Sequence, residues 1–268
     1  MSEHFYTAQR GAHGEERMFA SELTRGPWDN DHQHGGPASA LLARAIEREG
    51  ERDDMFIARL SVELLRPIPI AAPLELVTEV LAEGRSVHRI AAALVSGDRE
   101  LAVALAVKIR VAELDIPIHE HDDFEPLRPP DDCRPFELPF FRHERAYHKA
   151  IELRVAEGEF GEGKLGVWMR PRQALIEGER MSPLQNVMIC ADAGHGVALA
   201  LDTDAWSFIN PDLSVHLHRL PAGEWLGMRA RTWSEPLGFG LCRTQLCDRR
   251  GPIGVALQSQ LIAAREPK

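Results

Sequence analysis

The chain lacks the features that would indicate a membrane protein, a secreted protein or a nucleic-acid-binding protein. No stretch of 18 consecutive apolar residues occurs, so no membrane-spanning helix is predicted. The N-terminus has no basic region followed by an apolar core, so we expect no signal peptide and a cytoplasmic location. The formal net charge is −10 and no basic run interrupts it, which argues against nucleic acid and anionic membrane as partners.

Signatures of nucleotide binding, nucleophilic catalysis and metal binding are absent or weak. The sequence has no Gly-x-Ser-x-Gly, P-loop or dinucleotide fingerprint. Its 4 cysteines are dispersed, which favours reduced thiols over a disulfide or metal framework. Three pairs of closely spaced histidines have no obvious third ligand, so we expect neither a metal nor a cofactor. The pairs are His32 and His34, His119 and His121, and His216 and His218.

The chain does contain a weak internal repeat. Residues 60–66 (LSVELLR) resemble residues 213–219 (LSVHLHR), 153 positions later. Residues 103–105 (VAL) recur at 255–257, with an offset of 152. We infer two copies of one unit, a helix followed by several strands.

Apolar periodicity and turn residues predict the same elements in each copy. A first helix opens at Gly36-Pro37 and runs to about Glu49, and a second opens at the capping box of residues 182–185 and runs to about Leu201. Three adjacent runs joined by short turns predict an antiparallel meander in the first copy. The strand-like runs are 15–23, 55–66, 73–83, 86–97, 100–113, 149–158, 164–170, 206–219, 224–234, 237–248 and 252–264.

The predicted organisation is an N-terminal unit at 1–114, a Pro-rich linker at 115–147 and a C-terminal unit at 148–268. No regular element tolerates the density of proline in the linker, so we expect a long surface connection there. A helix against a long antiparallel sheet, present twice, is an α+β architecture, and two such sheets can pair edge to edge.

The two copies differ in the polar residues that they carry. At three matched positions the first copy has an apolar or solvated residue and the second has a small polar group. The first-copy residues are Ile46, Ile57 and Lys108, and their counterparts are Asp192, Asn210 and Gln260. Because a buried polar group is costly unless it is paired or functional, the difference predicts a single site in the second copy.

Each polar residue has a functional and a structural interpretation. Asp192 lies at the margin of a core-facing stripe, where desolvation can raise the pKa of a carboxylate and make it a general base on water; alternatively it faces solvent or an arginine. Asn210 either holds a water or a carbonyl oxygen, or only starts a turn. Gln260 alternates with Gln258 on the last strand, and either of them, or neither, faces the helix.

His34-Gly35-Gly36 precedes the first helix and offers a second polar element. Two glycines let a ligand approach the backbone, and free N–H groups at a helix start favour negative charge. This is the chemistry of an oxyanion hole, and the alternative is a plain glycine turn.

These segments resemble the acyl-CoA thioesterase II family, whose members are double hotdog proteins. The resemblance implies two tandem hotdog units, each with a long helix wrapped by a curved antiparallel sheet. It also implies an acyl-CoA substrate, no cofactor and a homodimer. The likeness covers almost the whole chain through short motifs. They are residues 34–36, 64–67, 84–89, 190–192 and 212–219, and Gln260.

In that family, thioester hydrolysis is attributed to a water held by an Asp on the second helix, a Thr in the following strand and a Gln in the last strand. Asp192 matches the Asp and Gln260 the Gln, while Asn210 stands where the family has Thr. The Gln match needs a one-residue shift, so Gln258 stays a possible substitute.

The resemblance further implies roles in substrate binding. The N–H groups near Gly36, with His34 and Gly35, would stabilise the oxyanion. Arg85 and Arg89 would meet the CoA phosphates, and Ser86 would also bind substrate.

Two other interpretations stay open. One is a hotdog enoyl-CoA hydratase, because Asp29 stands five residues before His34 in an Asp-x-x-x-x-His pattern. The other is a non-catalytic acyl-binding protein, which the Asn210 departure favours.

Overall fold

A computed structural model describes residues 4–11, 15–49, 54–117 and 124–265. The elements of the first half within these ranges are β1 (His4–Arg10), β2 (Glu16–Ala20), α1 (Gly35–Arg48), β3 (Met55–Leu64), β4 (Leu74–Glu83), β5 (Val87–Ser96) and β6 (Arg99–Arg110). Short 3₁₀ helices lie at Glu22–Thr24 and Pro130–Asp132. No helix in the described ranges is long and apolar enough to cross a membrane.

The second half repeats this order with more short elements. They are β7 (Arg134–Pro135), α2 (Tyr147–Ala150), β8 (Ile151–Glu157), β9 (Lys164–Pro171), β10 (Ala174–Ile176), α3 (Pro183–Ala191), α4 (Gly194–Val197), β11 (Trp206–Ile209), β12 (Asp212–Leu217), β13 (Leu226–Glu235), β14 (Phe239–Asp248) and β15 (Gly251–Ala264).

The described strands form one sheet that spans both halves. Its order is β10-β1-β2-β4-β5-β6-β3-β12-β15-β14-β13-β9-β8-β7, and β11 pairs with β15. Strands β4, β5 and β6 are antiparallel neighbours, which confirms the predicted meander.

The halves join where β3 pairs with β12, and the repeated segment pairs with itself there. Ser61 lies opposite Ser214, its counterpart in the repeat, and their hydroxyl oxygens are 2.7 Å apart. An antiparallel pair centred on equivalent residues has a local two-fold axis. The two repeated segments are therefore related by a local two-fold rotation where the halves join.

Helices α1 and α3 pack against each other in the core. A Cβ on Gly36 would lie 2.4 Å from the carbonyl oxygen of Ile189, so only glycine allows this approach. The Tyr147 hydroxyl donates to the same carbonyl at 2.7 Å. Buried Arg44 of α1 pairs with Glu16 and Glu179, which fixes α1 to the segment before α3.

The second helix is shorter than predicted. Helix α3 ends at Ala191 and one further turn, α4, follows it, whereas the periodicity predicted a helix to about Leu201. Gly194 and Gly196 disfavour a continuous helix. The predicted strand 206–219 is likewise divided into β11 and β12, because Pro211 has no N–H for the ladder.

The described part of the Pro-rich segment is not only a surface connection. Leu127, Leu138 and Phe140 are buried, and Tyr147 is fully enclosed. This segment therefore supplies core residues although it has few regular elements. Strands β1, β7 and β10 also had no clear signal, because they are short or lie in turn-rich sequence.

Candidate active site

A cavity of about 340 Å³ opens between the N-terminus of α1 and the C-terminal end of α3. Its size lies within the range of small-ligand sites. Apolar walls come from several elements, including the Pro-rich segment: Trp28 stacks on Phe140, with ring centroids 5.8 Å apart. The polar lining residues include His34, Asp192, His195 and Asn210.

Asp192 is the most buried of these polar groups, with 1% of its surface exposed. It is the C-cap residue of α3. Its Oδ1 accepts a hydrogen bond from Asn210 Nδ2 at 2.8 Å, and its Oδ2 lies 3.0 Å from His34 Nδ1. Its backbone carbonyl accepts from Gln258 Nε2 at 2.9 Å. The structure thus brings together three residues that the sequence analysis singled out, along with Gln258.

The pKa of the Asp192 carboxyl is lowered, contrary to the expectation that burial raises it. Burial alone raises the pKa of this carboxyl, but the His34 imidazole and the Asn210 amide lower it further than burial raises it. The pKa of Asp192 therefore lies below its ordinary value. The N-terminus of α1 adds positive partial charge beside the carboxylate.

Gly35 allows this approach. A Cβ at this position would lie 2.8 Å from Asp192 Oδ2 and 2.9 Å from a methyl carbon of Leu64. Any side chain there would displace the carboxylate from the start of α1. Position 35 therefore requires glycine for steric reasons, whatever its backbone conformation.

His34 caps α1 and faces Asp192 with the same nitrogen. Its Nδ1 accepts from the Gly36 N–H at 3.1 Å and lies 3.0 Å from Asp192 Oδ2. A ring nitrogen carries either a lone pair or a proton, so it makes only one of these bonds at a time. The ring stacks on Tyr147 at 3.8 Å, which fixes its plane for both. The Gly36 N–H is therefore a free donor only when Nδ1 is protonated.

Asn210 occupies the turn between β11 and β12. Its Nδ2 donates to Asp192 Oδ1 and, at 3.1 Å, to the carbonyl oxygen of Asp212. Both partners are acceptors, which fixes the orientation of the amide. Its Oδ1 is then the group that remains as an acceptor.

Gln258, rather than Gln260, contacts Asp192. Both side chains are buried on one face of β15, as their spacing predicted. Gln260 lies two residues further along, about 7 Å away, beside Gly240, and its Oε1 has no hydrogen-bond partner in the described ranges. Gln258 uses both its N–H groups and its carbonyl on protein atoms, so it positions the end of α3.

Family models match both halves of the chain. The model for the acyl-CoA thioesterase N-terminal domain matches residues 24–109, and that for the C-terminal domain matches residues 130–262. This chain belongs to the acyl-CoA thioesterase family. It is accordingly a thioester hydrolase. No curated protein sequence matches it significantly.

Solved structures with similar folds include three that match this thioesterase over almost its full length. A candidate thioesterase II of Thermobifida fusca YX is 18% identical, with a TM-score of 0.75 over 96% of this chain and 95% of that one. A hot dog fold protein of Alicyclobacillus acidocaldarius is 16% identical, with a TM-score of 0.73 over 95% and 94%. Acyl-CoA thioesterase II TesB2 of Mycobacterium marinum is 16% identical, with a TM-score of 0.67 over 97% and 96%. The large sheet with few helices fits a hotdog fold.

Arg85 and Ser86 lie far from the cavity of this thioesterase. They form the exposed turn between β4 and β5, next to the end of β6 at Ile109. The cavity residue Leu64 pairs with Ala102 at the other end of β6, about 24 Å away along the strand. The structure therefore does not place these two residues with the Asp192 site.

The histidine pairs do not assemble a metal site in the described ranges, where no group of three or more His, Cys, Asp or Glu side chains is suitably arranged. His32 pairs with Asp29 at 3.3 Å, so Asp29 is not the partner of His34. His216 and His218 are exposed at the end of β12. His119 and His121 lie outside the described residues.

Sequence reasoning missed His195 and the aromatic wall. His195 lines the cavity three residues after Asp192, a spacing that puts two side chains on one helical face and could have drawn attention to it. Phe140 and Tyr147 gave no signal, because they belong to the Pro-rich segment and meet the site only through tertiary packing.

Proposed function

We propose that the cavity beside Asp192 is where this thioesterase hydrolyses an acyl-CoA to a free acid and CoA. The observation that carries the proposal is a carboxylate that is almost fully buried and held by His34 and Asn210 at the wall of the cavity. A charge in such a place is costly unless it does work or is fully paired.

In the proposed reaction, a water gives one proton to Asp192 and points its second hydrogen at Asn210 Oδ1. The water oxygen adds to the thioester carbon, and the carbonyl electron pair moves onto oxygen. Collapse of the tetrahedral intermediate breaks the carbon–sulfur bond, and the proton held by Asp192 is available to the departing thiolate. Asn210 supplies the acceptor where the family has a hydroxyl, so the same water contact is retained with an amide oxygen.

His34, Gly35 and Gly36 support the carboxylate in this proposal. His34 keeps Asp192 ionised, and Gly35 leaves room for it. When Nδ1 of His34 takes a proton, Gly36 loses its partner and its N–H becomes a donor for the oxyanion. Gln258 holds the end of α3, and no role in the reaction is proposed for Gln260, Arg85 or Ser86.

The test is thiol release from acyl-CoAs of varied chain length by the wild type and by Asp192→Asn. We expect turnover to fall by about 100-fold or more in the variant, because the base is lost. Asp204→Asn, at an exposed aspartate paired with Arg142, is the matched control and should stay within about threefold of wild type. Unchanged turnover in Asp192→Asn would refute the assignment.

One observation favours a second candidate, an enoyl-CoA hydratase. His34 and Asp192 form an imidazole–carboxylate pair in the cavity, and such a pair can move a proton to or from an alkene. Loss of the enoyl absorbance without thiol release would indicate hydration. Binding of acyl-CoA with neither change would indicate the non-catalytic alternative.

We also propose the tandem double hotdog arrangement and a homodimer. The Ser61–Ser214 pairing and the repeated order of elements support two units. Exposed apolar side chains on the outer face of the sheet support self-association: Phe239, Leu241 and Leu261 are between 44% and 55% exposed on neighbouring strands. Light scattering of the purified protein tests this, with Phe239→Lys expected to give monomers. The cytoplasmic location stays a prediction.

A further inference from the structure

His195 lines the cavity next to Asp192, yet the proposed reaction gives it no role. It lies in the single turn α4 and is 7% exposed. Its Nδ1 is 3.3 Å from Nε2 of Gln258. What the imidazole can do depends on which of its nitrogens carries the proton.

The amide of Gln258 decides that question. Its Nε2 is 2.9 Å from the Asp192 carbonyl oxygen, which can only accept, and its Oε1 is 3.3 Å from the His195 backbone N–H, which can only donate. Both contacts require the same orientation of the amide. The second hydrogen on Nε2 then points at His195 Nδ1, which must accept it, so the ring proton lies on Nε2.

The ring is also neutral and fixed in place. Burial, together with the nearby His34, lowers the pKa of His195 to about 4, although contacts with Asp192 and Gln258 oppose this shift. The ring meets Phe208 edge-on, with centroids 5.7 Å apart. A neutral imidazole whose outer nitrogen bears the proton offers the cavity a donor and no lone pair, so it cannot act as a base there.

We propose that the Nε2–H of His195 donates a hydrogen bond to the thioester carbonyl oxygen and stabilises the oxyanion formed when water adds. His195 shares the cavity wall with Asp192 and Asn210. The base and the oxyanion donor thus lie within one turn, at the same interrupted helix end. Gln258 is a positioning residue that sets the tautomer. The inference rests on the proposed thioester hydrolysis.

The direct test is a pair of variants, His195→Phe and His195→Gln, assayed for thiol release. Phe keeps the ring and removes the donor, and we expect kcat to fall by about 100-fold with KM within about threefold. Gln keeps a donor and should retain at least tenfold more activity than Phe. An unchanged kcat in His195→Phe would overturn the inference, whereas no turnover by the wild type would overturn the proposed function and the inference with it.

Two ligands separate an oxyanion role from a structural one. An S-alkyl-CoA has no carbonyl and should bind wild type and His195→Phe equally. A trifluoromethyl ketone analogue, which forms a tetrahedral adduct, should lose about 100-fold in affinity in the variant. Equal losses for both ligands would mean that the variant only damages the pocket, and would contradict the proposal.

Nitrogen-15 NMR of the histidines reports the tautomer of His195 directly. The proposal requires a His195 signal with Nε2 protonated and Nδ1 bare at pH 7, and a change of tautomer in Gln258→Leu. A signal with the proton on Nδ1, or from a doubly protonated ring, would overturn it.

Discussion

The ends of α1 and α3 are related by the repeat, but they are built differently. Helix α1 runs three residues further than α3 at matched positions, so Glu49 caps α1 where His195 stands in the second copy. In both, a side chain on the last strand of the unit donates to the C-cap carbonyl. Lys108 Nζ donates to Glu49 at 2.8 Å, and Gln258 donates to Asp192 at 2.9 Å.

The shorter helix explains why Gln258 occupies the site. Lys108 corresponds to Gln260 in the repeat, and Gln258 stands two residues before it. Ending the helix three residues earlier moves the cap back by about 4.5 Å, and the nearest inward-facing donor moves back two residues along the strand. The early end of α3 thus makes Asp192 the C-cap and leaves His195 in the separate turn α4.

The comparison of the two helix ends also shows that the buried polar residues around Asp192 occur together or not at all. Asp192 and Ile46 are equally buried, yet Ile46 is matched with apolar Ile57 and Ala106, the counterparts of Asn210 and Gln258. A buried charge is tolerated only where its partners are present together. At the end of α1, Ile46, Ile57 and Ala106 are all apolar and buried, so none of these partners is present.

The largest effect is expected from a substitution at Gly35, where Asp192 packs closely against the start of α1. Gly35→Ala places a methyl group against Asp192 Oδ2, and we expect kcat/KM for thiol release to fall by about 100-fold because the base is displaced. Met181→Ala, at the counterpart of Gly35, is the matched control and should stay within about threefold. Similar losses in both variants would mean that helix packing in general, not Asp192, limits activity.

The next prediction concerns the charge beside Asp192. In His34→Asn the imidazole that lowers the pKa of Asp192 is gone, burial prevails and that pKa rises. Because a base is active above its pKa, the acid limb of kcat/KM should move to higher pH. Asn still caps α1, so the fold is retained. A pH–rate profile that keeps its acid limb in place would contradict the role given to His34.

A smaller effect is expected at the helix starts. Ser182 caps α3 by accepting a hydrogen bond from the Gln185 N–H at 3.1 Å. Its counterpart in α1 is Gly36, where close contact with Ile189 leaves room only for glycine. Ser182→Ala should lower the free energy of unfolding by about 1 kcal/mol in denaturant titrations. Activity should stay near wild type, because α3 is anchored again at Asp192. A large loss of activity with unchanged stability would show instead that the start of α3 acts on the reaction.

The smallest effect is predicted for Lys108→Gln, which gives the first copy the residue of the second. Lys108 is buried rather than solvated, and burial lowers its pKa, so its charge is a cost to folding at neutral pH. Glutamine can still donate to Glu49. We expect the rate of thiol release to stay within about twofold of wild type. The free energy of unfolding should fall by no more than about 0.5 kcal/mol and could rise. A marked loss of activity would place a function at the first helix end.

The sequence predicted most long elements and the identity of the central carboxylate. Strands β3 to β6, β8, β9 and β13 to β15 lie close to their predicted ranges, because apolar alternation and turn residues are local signals. The end of α3 was missed, since an apolar stripe continues past Ala191 while tertiary contacts of Asp192 and Gly194 stop the helix. The sequence analysis expected a raised pKa for Asp192, because burial can be inferred from a helical stripe. It could not foresee the contact with His34, which comes from the other copy and lowers that pKa.

The cavity wall is built from two kinds of segment. Asp192, His195 and Asn210 belong to regular elements or their ends, while Leu138 and Phe140 come from the irregular segment between the halves. Under the proposed function, substitutions in that segment reshape the space for the acyl group and leave the amide contacts around Asp192 in place. The choice of acid and the hydrolysis reaction are then set by different parts of the chain.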